Sequence, residues 1–176
     1  MPNALSPEAV QRLNAASDRL YAEATAADSG SSGSQGGTLG LFRSVSRDDA
    51  ILDLVDNPST FPLVYDILGW NIQLYISHLI VYPPEPSGTE AFETKATGNG
   101  WHIDGGRPVP EMEERPQPRL SLKVGFFLTD TSIPYSGAMR IVPRSHKLGD
   151  PPSPGTVDPP GVMDIKVKPG DAVLCE

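Results

Sequence analysis

The spacing of apolar residues changes along the chain from a helical pattern to a strand pattern. Between Pro7 and Ala27, Val10, Leu13 and Leu20 lie among alanines at intervals of three and seven residues, which predicts one amphipathic helix. Ser6 precedes this segment, and its hydroxyl can accept a hydrogen bond from an amide of the first helical turn. We therefore predict a long first helix with one apolar face.

A polar segment and two shorter helices are predicted next. Residues 28–37 consist of glycine, serine, aspartate and glutamine, which is typical of a flexible linker. The run Ser46 to Asp49 can cap a short helix whose Ile51, Leu52 and Val55 face inward. A further helix is expected from about Thr60 to Leu68, because Gly69 tolerates the left-handed conformation that commonly ends a helix.

After these helices the period of the apolar residues falls to two, which predicts strands. The predicted strands are residues 72–82, 120–128, 138–142, 162–168 and 172–175. Several short strands behind a helical N-terminal part are typical of a β-sandwich or jelly roll with packed helices. The sequence stops at Glu176, inside the last predicted strand, so we expect a C-terminally truncated domain. A short terminal edge strand is the alternative.

Composition and charge narrow the classes of function. The net charge of −8 argues against nucleic acid as a partner, because phosphate binding requires clustered lysine and arginine. Cys175 is the only cysteine, which excludes an internal disulfide. The longest apolar stretch, residues 72–82, is too short to cross a bilayer, and residues 1–20 lack the apolar core of a signal peptide. We expect a cytoplasmic protein without a nucleic-acid or membrane partner.

The histidines indicate where metal chemistry can occur. There are three, His78, His102 and His146, and Asp104 follows the second of them at a spacing of two residues. On an extended segment such a pair points the same way. With a distant second histidine, it can form the two-histidine, one-carboxylate set that leaves positions open on iron(II). The alternative is a loop histidine followed by an Asx turn before Gly105.

The order of the motifs that follow resembles the phytanoyl-CoA dioxygenase family. The series is His102-Ile103-Asp104, a strand ending in Leu128-Thr129-Asp130, then Gly137, Ile141-Val142-Pro143-Arg144-Ser145-His146 and Gly170-Asp171. It is similar to the H-x-D, Leu-Thr-Asp, Gly…Pro-Gly-Ser-His and Gly-Asp series of that family and covers about Leu39 to Glu176. Arg144 stands where the family has glycine, which leaves the conformation of that turn open.

The resemblance implies an α+β, mostly β fold. The expected architecture is a double-stranded β-helix (jelly roll) with N-terminal packing helices, incomplete at the C-terminus. Residues 1–38 would form the N-terminal helix and Gly/Ser-rich loop, and residues 39–176 a partial dioxygenase domain. His102 and Asp104 match the family's proximal iron ligands. The third ligand, a histidine, and the arginine that pairs with 2-oxoglutarate would follow Glu176.

Three further residues match positions near the cosubstrate in the family. His78 and Phe126 match residues that lie against 2-oxoglutarate, with a buried histidine and simple core packing as the alternatives. Arg43 lies near a position where relatives place a cation, and a surface arginine is its alternative. His146 matches the histidine of a structural turn and is not counted as a ligand.

The implied function is hydroxylation of a small organic substrate by dioxygen, with Fe(II) as the metal and 2-oxoglutarate as cosubstrate. One alternative is a truncated or pseudo-enzyme fragment that acts, if at all, as a non-catalytic binding protein. Another is a zinc-dependent hydrolytic site, which needs at least three ligands where only His102, Asp104 and His78 are on offer. We expect the 176-residue chain itself to be inactive, since two ligands hold iron(II) weakly.

Overall fold

Three α-helices, one short 3-10 helix and six short strands make up the described part of the chain. A computed structural model describes residues 1–27, 39–82, 101, 121–133, 136–145 and 158–175. The elements are α1 (Pro7–Ala27), β1 (Leu39–Phe42), a 3-10 helix (Ser44–Ser46), α2 (Asp49–Leu52), α3 (Phe61–Leu68), β2 (His78–Val81), β3 (Lys123–Phe126), β4 (Met139–Ile141), β5 (Met163–Ile165) and β6 (Ala172–Cys175). The fold is α+β, as predicted.

Local capping residues set the ends of the helices. The Ser6 hydroxyl accepts a hydrogen bond from the Ala9 amide at 3.2 Å at the start of α1. Asp48 caps α2, since its carboxylate accepts from the Ala50 amide at 2.8 Å. Gly69 ends α3 with a φ of 85°. Among the described residues, no helix combines the length and apolarity needed to cross a membrane.

The core lies between α1 and the segments that follow it in sequence. Leu5, Leu13 and Leu20 from the N-terminal region meet Ala50 and Ile51 of α2, and all five are buried. Burial of one leucine side chain contributes about 1.5–3 kcal/mol. Partly buried residues of the strands pack against this cluster, among them Leu41, Leu79 and Phe126, and so does Leu128 after β3. The core cluster therefore packs against residues of β1, β2 and β3, and α1 itself contacts β2.

The described strands form three antiparallel pairs. In the first, β1 pairs with β2 so that Phe42 lies opposite His78. In the second, β3 pairs with β6 so that Phe126 lies opposite Ala172. In the third, β4 pairs with β5, and their central residues are opposite each other. The described residues do not join these pairs into one sheet, so the jelly roll stays a prediction.

The strands are shorter than their apolar alternation predicted. Only His78–Val81 of residues 72–82 forms a strand. The cause lies in its partner, because Arg43 has a φ of 58° and turns the chain out of β1 into the 3-10 helix. The Arg43 amide donates to the Ser77 carbonyl at 2.8 Å beyond the last residue pair of β1 and β2. Alternation therefore indicated that a strand is present but neither its length nor which face lies inward, since Leu79 packs against the core cluster whereas Ile76 and Ile80 are exposed.

The first residues of the chain pair with the turn before β6. The Met1 ammonium donates to the Ala172 carbonyl at 2.8 Å, and the Ala172 amide donates back to the Met1 carbonyl at 2.9 Å. The Leu5 amide donates to the Gly170 carbonyl at 2.9 Å. The Asn3 amide reaches the Asp171 carboxylate at the same distance of 2.9 Å. These bonds fix the start of α1 beside β6.

Candidate active site

His78 lies at the first position of β2, on the face turned away from the core. Its ring stacks on Phe42 of β1, with ring centroids 4.2 Å apart and planes inclined by 12°. The neighbouring residue Leu79 instead packs against the core cluster. A Cβ added to Gly40 would lie only 3.1 Å from His78 Nε2, so glycine is what lets the backbone of β1 approach the ring.

The surroundings of His78 favour its neutral form. Partial burial of the ring lowers the pKa of His78 from its usual 6.5, and the positive charge of Lys123 lowers it further. At pH 7 the imidazole is therefore neutral and offers one nitrogen as donor and one as acceptor. Lys123 belongs to β3, so the electrostatic effect links the first and second strand pairs. Contact of His78 with a cosubstrate stays a prediction.

Arg43 forms the turn after β1 through its backbone. It ends β1 in the left-handed conformation, and its carbonyl accepts from the Ser46 amide at 3.1 Å and the Ser46 hydroxyl at 2.8 Å. The residue itself is exposed. A contact between its guanidinium and a cosubstrate remains a prediction.

Phe126 belongs to β3 and is partly buried against the core cluster. This packing accounts for an aromatic residue at that position. The packing of Phe126 neither requires nor excludes a contact with 2-oxoglutarate, so that contact stays a prediction.

The loop after β3 is held by a set of polar contacts. Asp130 accepts from Lys168 Nζ at 2.7 Å, from the Ser132 amide at 2.8 Å and from the Ser132 hydroxyl at 2.6 Å. These bonds, with that from Lys168 the largest, lower the pKa of Asp130 to about 2. The buried Thr131 hydroxyl accepts from the Val167 amide at 3.0 Å. The Leu-Thr-Asp motif thus ties β3 to the segment between β5 and β6.

The two predicted iron ligands, His102 and Asp104, lie outside the described residues, as does His146. Trp101, which directly precedes His102, is described and is partly exposed. A histidine nitrogen and a carboxylate oxygen suit iron(II) as donors. Within the described ranges, no group of three or more His, Cys, Asp or Glu side chains could hold a metal ion. The described residues therefore offer no competing site to the predicted pair.

Sequence reasoning did not identify the residues around Trp101. The Arg140 guanidinium lies over the Trp101 ring, with its Cζ 5.9 Å from the ring centroid. Arg140 also binds Asp158 and Asp164. The only sequence signal was a charged residue in the middle of the predicted strand 138–142.

Comparison with known proteins identifies the family. The family model described as phytanoyl-CoA dioxygenase (PhyH) matches residues 1–176. The chain is also 28% identical over 150 residues to an ectoine dioxygenase of Nocardia farcinica (strain IFM 10152). That alignment covers 84% of this chain and 46% of the relative, so the chain spans about half the length of the curated relative it matches. No solved structure matches the chain. Because the family model matches the whole sequence, the chain belongs to the phytanoyl-CoA dioxygenase family.

Proposed function

We propose that this chain is part of an Fe(II)- and 2-oxoglutarate-dependent dioxygenase that hydroxylates a small organic substrate. The observation that supports it is the family match over residues 1–176, combined with the His102-x-Asp104 pair in the sequence. His102 and Asp104 would supply two ligands to iron(II). The third ligand and the arginine for 2-oxoglutarate would come from positions after Glu176.

The bound iron, with 2-oxoglutarate and dioxygen, would supply the oxidation of a C–H bond. The residues of this chain would bind and orient the reactants. His78 is neutral and has a polar ring edge beside the Phe42 ring, which suits a hydrogen bond to a polar group of a ligand. Phe42 is 57% exposed, and Ile80 on the same face is 47% exposed. This apolar face would exclude water once it is covered in the complete jelly roll.

The name of the Nocardia relative indicates which compound to test first. That protein is an ectoine dioxygenase, and we propose ectoine as the first candidate substrate for the protein to which this chain belongs. At 28% identity, the substrate class is proposed only as a small organic molecule.

The test is succinate formation from 2-oxoglutarate with iron(II), dioxygen and ectoine. It compares the 176-residue chain with a version extended at its C-terminus from the same gene. We expect iron-dependent succinate from the extended version alone, and its loss in His102→Ala and Asp104→Ala. His146→Ala is the matched control, since that histidine is assigned to a turn, and it should retain succinate formation.

Three other results would each contradict a part of the proposed function. Succinate from the 176-residue chain alone would contradict a third ligand beyond Glu176. Succinate from the extended version with His102→Ala unchanged would contradict the metal site. Binding of 2-oxoglutarate by the extended version without succinate formation under any condition would favour the alternative of a non-catalytic binding protein.

A further inference from the structure

The second strand pair carries a lysine that points the same way as His78. Phe126 of β3 packs against the core cluster, and successive residues of a strand point to opposite faces, so Lys123, three positions earlier, points away from the core. On β2, Leu79 packs against the core cluster and His78 points away from it. Lys123 and His78 therefore share the face that is turned away from the core.

Two observations make these strands neighbours. The hydroxyl oxygens of Tyr75 and Ser121 form a hydrogen bond at 3.2 Å, and these residues lie three positions before His78 and two positions before Lys123. The positive charge of Lys123 is also close enough to the imidazole of His78 to lower its pKa. The hydrogen bond and the charge effect connect the same two stretches of chain, so β2 and β3 lie side by side with His78 and Lys123 on their common outer face.

The chemistry of this pair suits a carboxylate. The lysine ammonium is a compact cation with three donors, and a neutral imidazole offers one N–H donor. A carboxylate has two oxygens, so it can accept a charge-assisted bond from the ammonium and a second bond from the imidazole. The ring of Phe42 stacks on His78 and holds the plane of the imidazole. Because the whole chain has a net charge of −8, an anion binds only where a local cation offsets the general repulsion.

We propose that Lys123 and His78 form a binding subsite for a carboxylate group of a small ligand. The inference rests on the proposed function, in which the reactants are 2-oxoglutarate and a small organic substrate. Both 2-oxoglutarate and ectoine carry a carboxylate, so the shared chemistry is that of the carboxylate, and the experiment separates the two sources.

The experiment measures the pKa of His78 by NMR in the 176-residue chain, without metal and at constant ionic strength. The chain has three histidines, and His78→Gln assigns the signal. A carboxylate bound beside the imidazole favours its charged form, so saturation with the ligand should raise the pKa of His78. 2-Oxoglutarate and ectoine are titrated separately. The dimethyl ester of 2-oxoglutarate, which has no carboxylate, is the control ligand and should leave the pKa unchanged.

Variants of Lys123 test the cation. In Lys123→Met the pKa of His78 should be higher before any ligand is added, because a nearby positive charge is lost. The dissociation constant of the ligand should rise about tenfold, as expected for the loss of one hydrogen bond between charged groups. Lys123→Arg keeps the charge and should stay within about threefold of the parent chain. Lys166→Met is the matched control, since it removes the same charge from an exposed position after β5.

The outcomes separate this inference from the proposed function. A rise in the pKa of His78 with one ligand identifies the source of the carboxylate, and a rise with both assigns the subsite to carboxylates in general. If neither ligand changes the pKa in the parent chain, or if the ester raises it as well, the subsite is wrong, while the proposed function still stands on succinate formation by the extended version. Unchanged affinity in Lys123→Met, or an equal loss in Lys166→Met, would also overturn the inference.

Discussion

Replacing Gly170 by alanine tests the contact between the first residues of the chain and the turn before β6. Gly170 has a φ of 94°, and a Cβ added there would lie 3.0 Å from the Leu5 carbonyl oxygen and 3.4 Å from Val10 Cγ2. The Leu5 oxygen belongs to the backbone, and the amide of the same residue is hydrogen-bonded to Gly170 at 2.9 Å. It cannot rotate away as a flexible side chain would.

Two costs and one gain set the size of the effect. The left-handed conformation costs alanine about 1–2 kcal/mol relative to glycine. Forcing a methyl group into a filled space costs about 1–3 kcal/mol. The lower freedom of alanine in the unfolded chain returns about 0.4–1 kcal/mol. The free energy of unfolding should therefore fall by about 2–4 kcal/mol in Gly170→Ala.

Gly161→Ala separates the two costs. Gly161 has a φ of 81°, but a Cβ there would meet none of the described residues within 4 Å, so only the conformational cost applies. We expect its free energy of unfolding to fall by about 1 kcal/mol or less. With a urea dependence of about 2 kcal/mol per molar, the urea midpoint should drop by about 1–2 M for Gly170→Ala and by about 0.5 M or less for Gly161→Ala. Equal drops in the two variants would refute the close contact with Leu5.

Two further predictions concern titration. Gly40→Ala places a Cβ 3.1 Å from His78 Nε2 and should displace the stacked ring toward solvent. The pKa of His78, measured by NMR, should therefore rise toward 6.5. Gly125→Ala is the control, because its added Cβ has its nearest contact at 3.6 Å and should leave the pKa of His78 unchanged. The pKa of Asp130 lies at about 2, below its usual 3.8, so its contribution to stability is present above pH 3.8 and is lost as pH falls through about 2. Asp130→Asn, and equally Lys168→Met, should flatten the fall in stability between these pH values in acid unfolding curves, and an unchanged slope would contradict the ion pair.

The helices were predictable because their signals are local. The run from Pro7 to Ala27 was predicted with the bounds that α1 has, since the cap at Ser6 and the apolar spacing both act within one or two turns. The cap predicted within the run Ser46 to Asp49 lies at Asp48, and Gly69 ends α3 as predicted, for the same reason. Of the residues expected to face inward from α2 and the turn after it, Ile51 is buried, but Leu52 and Val55 are exposed. Strand lengths were not predictable in this way, because a ladder ends where the partner strand turns away, as β1 does at Arg43.

The candidate site was likewise predictable only where its residues are close together in the sequence. The His102-x-Asp104 pair is visible in the sequence because both residues lie within three positions. The stack of Phe42 on His78 and the contact of Arg140 with Trp101 each join residues more than thirty positions apart. Such contacts depend on strand register and on the path of the intervening chain, which no local pattern encodes.

The bonds between the first residues and the turn before β6 have a consequence for the order of folding during synthesis. Asn3 and Asp171 are separated by 168 positions. At roughly 5–20 residues per second, the ribosome needs on the order of 10–30 s to supply the partner. Until then Leu5 and the apolar face of α1 can rest only on near neighbours such as Ala50 and Ile51. Docking of the first residues beside β6 is therefore a late step, and until then the apolar face of α1 is open to a chaperone.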